Sequence, residues 1–445
     1  MRMLIGIIAC VGFALPVLAD TIRVPGDYPT IQAGIDAAQD GDEVVVDDGV
    51  WTGSGNKNLD FHGKAIVVRS ENDDPEACII DCEGEGRGFY LHSDETTESV
   101  VKGFTITGAD SSGIYCSNSS PTITNCTIEG NTAKSHGGGI YCIYDSNPAI
   151  TNCTIADNTA YFYDGGGIYC SYRSSPTITN CTITGNTAKG GGGGIYCHSS
   201  AAPTITNCAI TGNRAVNGGG IYCRSGSNPT ITNCTIADNT AYLYGGGIYS
   251  SIYSGSNPTI TNCTIADNTA YYYGGGIYCH RGAPTITNCT ITGNTAEESH
   301  GGGIYCSGSD PTITNCTVTG NSAVAGYGGG IYCAYNSKPT ITNCILWADT
   351  PDEVYVVSGK PVVRYSNVQG GYPGRGNIDA DPLWVSGPLG DFYLSQREAG
   401  QPEDSPCVDA GKGKAKKLGL KKTTTRTDGK KDKKRVDMGY HYPRR

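Results

Sequence analysis

The sequence predicts an all-β chain wound as a parallel β-helix, a solenoid, and three observations predict it. The string Pro-(Thr/Ala)-Ile-Thr-Asn-Cys begins at Pro121, Pro148, Pro176, Pro203, Pro229, Pro258, Pro284, Pro311 and Pro339, at intervals of 26 to 29 residues. A second string, Gly-Ile-Tyr-Cys or a near copy, precedes each one and ends at Cys116, Cys142, Cys170, Cys197, Cys223, Ser250, Cys279, Cys306 and Cys333. Inside both strings the residue types alternate with the period of two that a strand imposes: Ile123 faces one way, Thr122 and Thr124 the other.

The spacing also removes the competing repeats. A leucine-rich repeat of this length needs a Leu column, yet residues 113–347 contain only Leu243 and Leu346. Helical repeats are excluded by Gly-Gly-Gly, Thr and Asn standing where helix formers would be required. Short strands separated by Gly and Asn turns therefore stack as coils, each hydrogen-bonded to the coils above and below and rising ~4.8 Å per coil. Equivalent side chains then fall into line. Ile and Cys columns run inside, joined by an inward ladder of turn asparagines in the left-handed conformation: Asn125, Asn152, Asn180, Asn207, Asn233, Asn262, Asn288, Asn315 and Asn343. Ranks of Thr and Tyr run outside.

The flanks complete the organisation. Residues 1–19 read as an export signal, with Arg2, an apolar run from Leu4 to Leu15, and Val17-Leu18-Ala19 before Asp20. That run is too short for a spanning helix, and no later segment reaches ~18 apolar residues. The expected divisions are a cap helix and irregular first coils at 20–112, a nine-coil array at 113–347 and a C-terminal module at 348–445. A secreted or cell-surface monomer follows. The net charge of −10 hides a basic tail: residues 412–445 hold 14 Lys/Arg against 3 Asp/Glu. An acidic body with its positive charge confined to one stretch excludes a nucleic-acid binder.

Three motifs carry a resemblance. The segment Val24-Pro25-Gly26-Asp27-Tyr28-Pro29-Thr30-Ile31-Gln32-Ala33, followed by Gly41-Asp42-Glu43-Val44-Val45-Val46, resembles the start of pectin-lyase-like right-handed β-helix proteins. The array is similar to the coils of large secreted bacterial β-helix proteins. Gly376-Asn377-Ile378-Asp379-Ala380-Asp381-Pro382, Ser405-Pro406-Cys407-Val408-Asp409-Ala410-Gly411 and Val436-Asp437-Met438-Gly439-Tyr440 look like their C-terminal, anchor-like module. The resemblance implies right-handedness and a short capping helix, for which Ile31, Ile35 and Ala38 supply the apolar spacing and Thr30 the N-cap. It implies no single function, because that family holds both enzymes and surface proteins.

Chemistry is sparse. Residues 113–347 carry 7 Lys/Arg and 9 Asp/Glu, mostly one per coil and at shifting positions. The nearest cluster is Glu297, Glu298 and His300, with His280 and Arg281 one coil earlier, and no catalytic constellation converges there. The expected role is glycan binding, to a polysaccharide or cell-envelope polymer, by a strip of exposed tyrosines: Tyr141, Tyr169, Tyr196, Tyr222, Tyr249, Tyr278 and Tyr305. One alternative is a polysaccharide lyase or hydrolase with its site among the irregular coils, Asp60 to Glu85, or in the C-terminal module. Another is ice binding by the Thr-x-Thr columns. No cofactor is expected, with calcium on the carboxylates of Asp60 to Glu85 as the alternative. The cysteines admit buried thiol columns, favoured by the break at Ser250, or disulfides at some coils. Seven Asn-Cys-Thr sequons fall on the turn asparagines, where an inward ladder would bar glycan. The tract 412–435, with 12 basic residues, reads as a solvated or disordered loop or as a clamp on anionic polymer.

Overall fold

The computed structural model describes residues 19–251, 255–431 and 435–444; the export signal, Ala19 apart, lies outside the described residues. The chain is a parallel β-solenoid of about 12 turns. Four sheets run along its length, with 14, 13, 11 and 8 strands. Neighbouring rungs pair residue for residue, Ile123 beside Ile150 and Ile150 beside Ile178.

Each coil closes because its apolar side chains are short, branched and strictly alternating. The Ile columns are sealed from solvent, as at Ile123, Ile155 and Ile168. Two cysteine columns stand beside them, and all 20 described cysteines are free and buried. Burial and small size suit Cys to this packing. Ser250 continues its column by donating from Oγ to the Ser256 carbonyl at 2.8 Å. The Gly-Gly-Gly corner is equally constrained. A Cβ at Gly138 would lie 2.6 Å from the Gly166 carbonyl oxygen, and Gly137 has φ +63°. Only glycine lets successive coils approach so closely there.

Asparagine behaves differently from the expected inward ladder. Asn125 and its eight equivalents adopt φ of 51–56°, the left-handed region. Their side chains point outward, and Asn152, Asn180, Asn207 and Asn233 are exposed. They bond along the surface, as from Asn207 Nδ2 to Asn180 Oδ1 at 3.2 Å. The inward ladder belongs instead to the asparagine six residues later: Asn131, Asn158, Asn186, Asn213, Asn239, Asn268, Asn294 and Asn321, all buried. Asn213 shows the pattern. Its Nδ2 donates to Ile183 O at 2.9 Å and to Asn239 Oδ1 at 3.0 Å, while its Oδ1 accepts from the Asn186 N–H and Nδ2, each at 3.0 Å. The two asparagines occupy successive corners, before and after a three-residue strand such as Thr127–Glu129, and the first corner sends its side chain out while the second sends it in. Inward burial therefore does not bar glycan from the sequon asparagines, although Asn288 and Asn315 are buried, Asn288 against the returning His441.

At the N-terminal end, helix Ile31–Ala37 starts where the Thr30 hydroxyl accepts from the Ala33 N–H at 3.3 Å. Ile31 and Ile35 join the core cluster of Val24 and Val44. No helix among the described residues is long and apolar enough to cross a membrane. At the other end the chain folds back along the array's outer corner. The His441 N–H donates to Asn288 Oδ1 at 2.8 Å, and the Gly439 N–H to Asn343 O at 2.8 Å. The basic tract differs from a plain solvated loop. Ala415 and Leu420 pack with Val436, and Arg426 is buried between Glu398 and Asp428, at 2.9 and 2.7 Å. Two aliphatics and two carboxylates fold what its lysines alone would leave in solvent.

Candidate functional site

The Ile-Tyr-Cys strands turn Ile and Cys inward, which leaves Tyr on the outer face. Outward, however, is not exposed here. Tyr169, Tyr196, Tyr222, Tyr249, Tyr278 and Tyr305 keep only 2–7% of their surface, and Tyr141 is half-buried. The expected exposed strip is thus a covered one, for two reasons. The rings lie against one another at one-coil spacing, Tyr222 on Tyr249 at 4.6 Å and Tyr278 on Tyr305 at 5.0 Å. Aromatic side chains from the preceding turn then lie over them: His136 on Tyr169 at 4.5 Å, Tyr244 on Tyr278 at 5.1 Å, Tyr273 on Tyr305 at 4.8 Å and His300 on Tyr332 at 4.5 Å. Burial pushes the Tyr169 hydroxyl up to about 12, so these rings stay neutral over the ordinary pH range.

Where the turns on either side of this sheet diverge, the covered face opens into a groove of about 710 Å³. Tyr278, Tyr305 and Ser307 line it with Tyr244, the end of strand Thr240–Tyr244, and Tyr273, each just before a Gly-Gly-Gly corner; His280, Arg281 and Tyr335 come from the strand ends and turns that follow. Tyr335 is 72% exposed. The Nδ1 of His280 is buried without a hydrogen-bond partner. Burial first, and the Arg281 charge second, hold that imidazole below its ordinary range, so it is neutral near pH 7. The arrangement offers aromatic faces with their phenol hydroxyls, one guanidinium and the neutral His280 ring to a single ligand.

Of the seven predicted tyrosines, Tyr278 and Tyr305 line this groove. The walls Tyr244, Tyr273 and Tyr335 lie outside the repeated strings, which is why periodicity passed over them. The turn insertions Ala-Tyr-Leu-Tyr and Ala-Tyr-Tyr-Tyr before Gly245 and Gly274 were the available signal. The charged cluster separates: His300 accepts the Tyr327 N–H at 3.0 Å and stacks on Tyr332, while Glu297 and Glu298 lie outside the groove. The acidic first coils spend their charges on local partners. Glu83 and Glu85 pair with Lys57 at 3.3 and 3.0 Å, and Asp73 with Lys102 at 2.7 Å. Among the described residues, no three His, Cys, Asp or Glu side chains converge as a metal cluster. The first Thr of each Thr-Ile-Thr strand is exposed in most coils, the second half-buried beside the turn asparagine.

The family model described as right handed beta helix region matches residues 44–191, 187–310 and 287–376. Among solved structures, pectate lyase Pel9A aligns over 95% of this chain and 96% of its own, at 13% identity and a TM-score of 0.44. PL6 family alginate lyase AlyGC aligns over 85% of this chain at 14% identity and a TM-score of 0.49, and this chain spans 56% of that enzyme. The siphovirus 9NA tailspike receptor binding domain aligns over 87% of this chain and 82% of its own, at 11% identity and a TM-score of 0.24. No curated protein matches the chain.

Proposed function

The chain belongs to the right-handed β-helix region family, and with that scaffold as premise we propose that it is an exported, surface or extracellular rod that binds glycan in the tyrosine-walled groove. The scaffold carries no function by itself. One observation carries the reading: five tyrosines, His280, Arg281 and Ser307 line one open groove of about 710 Å³. That volume lies within the roughly 300–1,000 Å³ of small-ligand sites. Sugar rings present flat C–H faces that stack on aromatic rings, and hydroxyl edges that bond to imidazole, guanidinium and hydroxyl groups. Of the seven-tyrosine strip, Tyr278 and Tyr305 form the stacked floor of the groove.

A lyase or hydrolase reading draws on a separate observation, the neutral His280 imidazole in the groove wall beside Arg281, a proton acceptor for a bound sugar. One experiment covers both. Residues 20–445 are screened on a glycan array, and each positive sugar is assayed for released product. Retention that weakens at least ~10-fold in Tyr335→Ala and Arg281→Ala, with unchanged melting, supports the groove; residues so exposed contribute within about 0.5 kcal/mol to stability. Retention indifferent to both substitutions overturns it. Product release lost in His280→Gln would instead make the groove an active site.

A further inference from the structure

The buried asparagine ladder ends on a different residue. In the last coil the equivalent of Asn321 is Asp349, whose Oδ1 accepts from the Asn321 N–H at 2.7 Å and Nδ2 at 2.8 Å. Its Oδ2 stands where the other coils place an Nδ2, close against Gly330 as Asn321 Nδ2 is against Gly303. Four residues on, Glu353 accepts the Asp349 N–H on Oε1 at 3.1 Å. Asp349 and Glu353 are 7% and 8% exposed, and Asp349 Oδ2 and Glu353 Oε2 are both buried without a hydrogen-bond partner. An asparagine would have continued the ladder at no charge cost, so the acid at 349 is a departure from eight preceding coils.

Both carboxyls border a pocket of about 420 Å³ whose lining also includes Asp352, Gln369, Gly370 and Gly371 and no cationic side chain. Asp352 adds a third negative group at this pocket, and Asp379 holds the Gly370 N–H at 3.2 Å close by. Two buried carboxylates facing each other without a cation are costly. A single shared proton would cancel only one of these charges. We propose that Asp349 and Glu353 bind a divalent hard cation, calcium, through their vacant oxygens, with main-chain and amide oxygens and water from the pocket filling the shell. A donor set of oxygens, with no thiol or imidazole in the pocket lining, suits calcium better than a transition metal. The cation closes the last coil, where the repeated ladder has no further asparagine to bond.

The test uses the full chain stripped with a chelator and titrated with calcium chloride by calorimetry, with melting followed in parallel. One equivalent should bind, with a Kd on the order of 10⁻⁴ M or tighter, and the melting midpoint should rise with calcium. Asp349→Asn restores the ladder and Glu353→Gln keeps the volume, so both should fold. Each should weaken calcium at least ~10-fold, while glycan retention by the tyrosine groove is untouched. No heat and no melting shift with calcium, magnesium or manganese to about 5 mM would overturn the proposal and leave a shared proton as the pair's partner. Calcium binding that survives unchanged in both variants would overturn it equally, by moving the ion elsewhere.

Discussion

Two asparagine columns run the length of one array, six residues apart, and they do opposite work. In the inner column, Asn158 gives both Nδ2 hydrogens, to Ile128 O and Asn186 Oδ1, and takes two bonds on Oδ1 from Asn131. No bonding capacity is left over. In the outer column six Nδ2 groups, those of Asn180, Asn207, Asn233, Asn262, Asn288 and Asn343, each bond to the Oδ1 one coil earlier, and spare capacity goes to whatever lies alongside. Asn125 Nδ2 reaches Asp73 O at 2.6 Å, Asn288 reaches His441 O at 2.9 Å, and Asn343 reaches Lys412 O at 3.3 Å. The same side chain closes the structure on one face and docks neighbouring segments on the other. Burial decides which.

That contrast can be broken most sharply from the inside. Asn213→Leu takes a partner from three buried groups that have no water to turn to, the Asn186 N–H and Nδ2 and Ile183 O, while Asn239 Oδ1 keeps the backbone N–H of residue 213. At about 1–3 kcal/mol for each group left unmade, the loss should reach ~4–6 kcal/mol. Urea unfolding should report it, with hydrogen exchange rising first in the adjoining coils, because stacked repeats lean on their neighbours. A loss below about 1 kcal/mol would remove the inner ladder from the account of stability.

The outer column's docking role is sharpened by pH. His441 is fully buried, its Nε2 has no partner, and burial lowers its pKa from 6.5 to about 4. Below pH 6.5 the unfolded chain takes up a proton that the folded chain refuses, so stability falls as pH drops from about 6.5 to about 4 and is fully present above. The difference amounts to ~3 kcal/mol by pH 4. Melting midpoints measured between pH 4 and 8 should show this slope, and His441→Leu should flatten it.

Smaller effects separate the two columns' surroundings. Gly193→Ala places a Cβ 2.5 Å from Gly219 O and 2.6 Å from Arg214 O, an overpacking worth roughly 1–3 kcal/mol in denaturant unfolding. Asn207→Ala should cost only about 1 kcal/mol, the strain of a left-handed residue with φ +54°. Asn207→Gly should fall within ~0.5 kcal/mol of the native chain by the same assay. If Asn207→Ala instead cost as much as Asn213→Leu, the two columns would be energetically alike and the contrast would fail.

Much of the coil was legible in the chain. Ile123 in, Thr122 and Thr124 out, and the left-handed turn at Asn125 follow from a period of two and from the one non-glycine residue that accepts positive φ readily. Which asparagine faces inward was not legible, because Asn125 and Asn131 recur with the same period at successive corners, and only the path of the backbone through each corner sets the face. The groove was half legible. Tyr278 and Tyr305 stood in the repeat, whereas Tyr244, Tyr273 and Tyr335 sit in the intervening segments, whose lengths vary from coil to coil.

By itself the sequence determined the stacking: near-identical segments of 26 to 29 residues place equivalent atoms one strand spacing apart, and that spacing lines like side chains into columns whatever else is true. Only the tertiary structure decided what each column meets. Exposure and polar pairing depend on atoms contributed by neighbouring coils and by the returning C-terminal segment. For that reason the tyrosines are covered, His441 is dry, and the ladder's last acid, Asp349, faces Glu353.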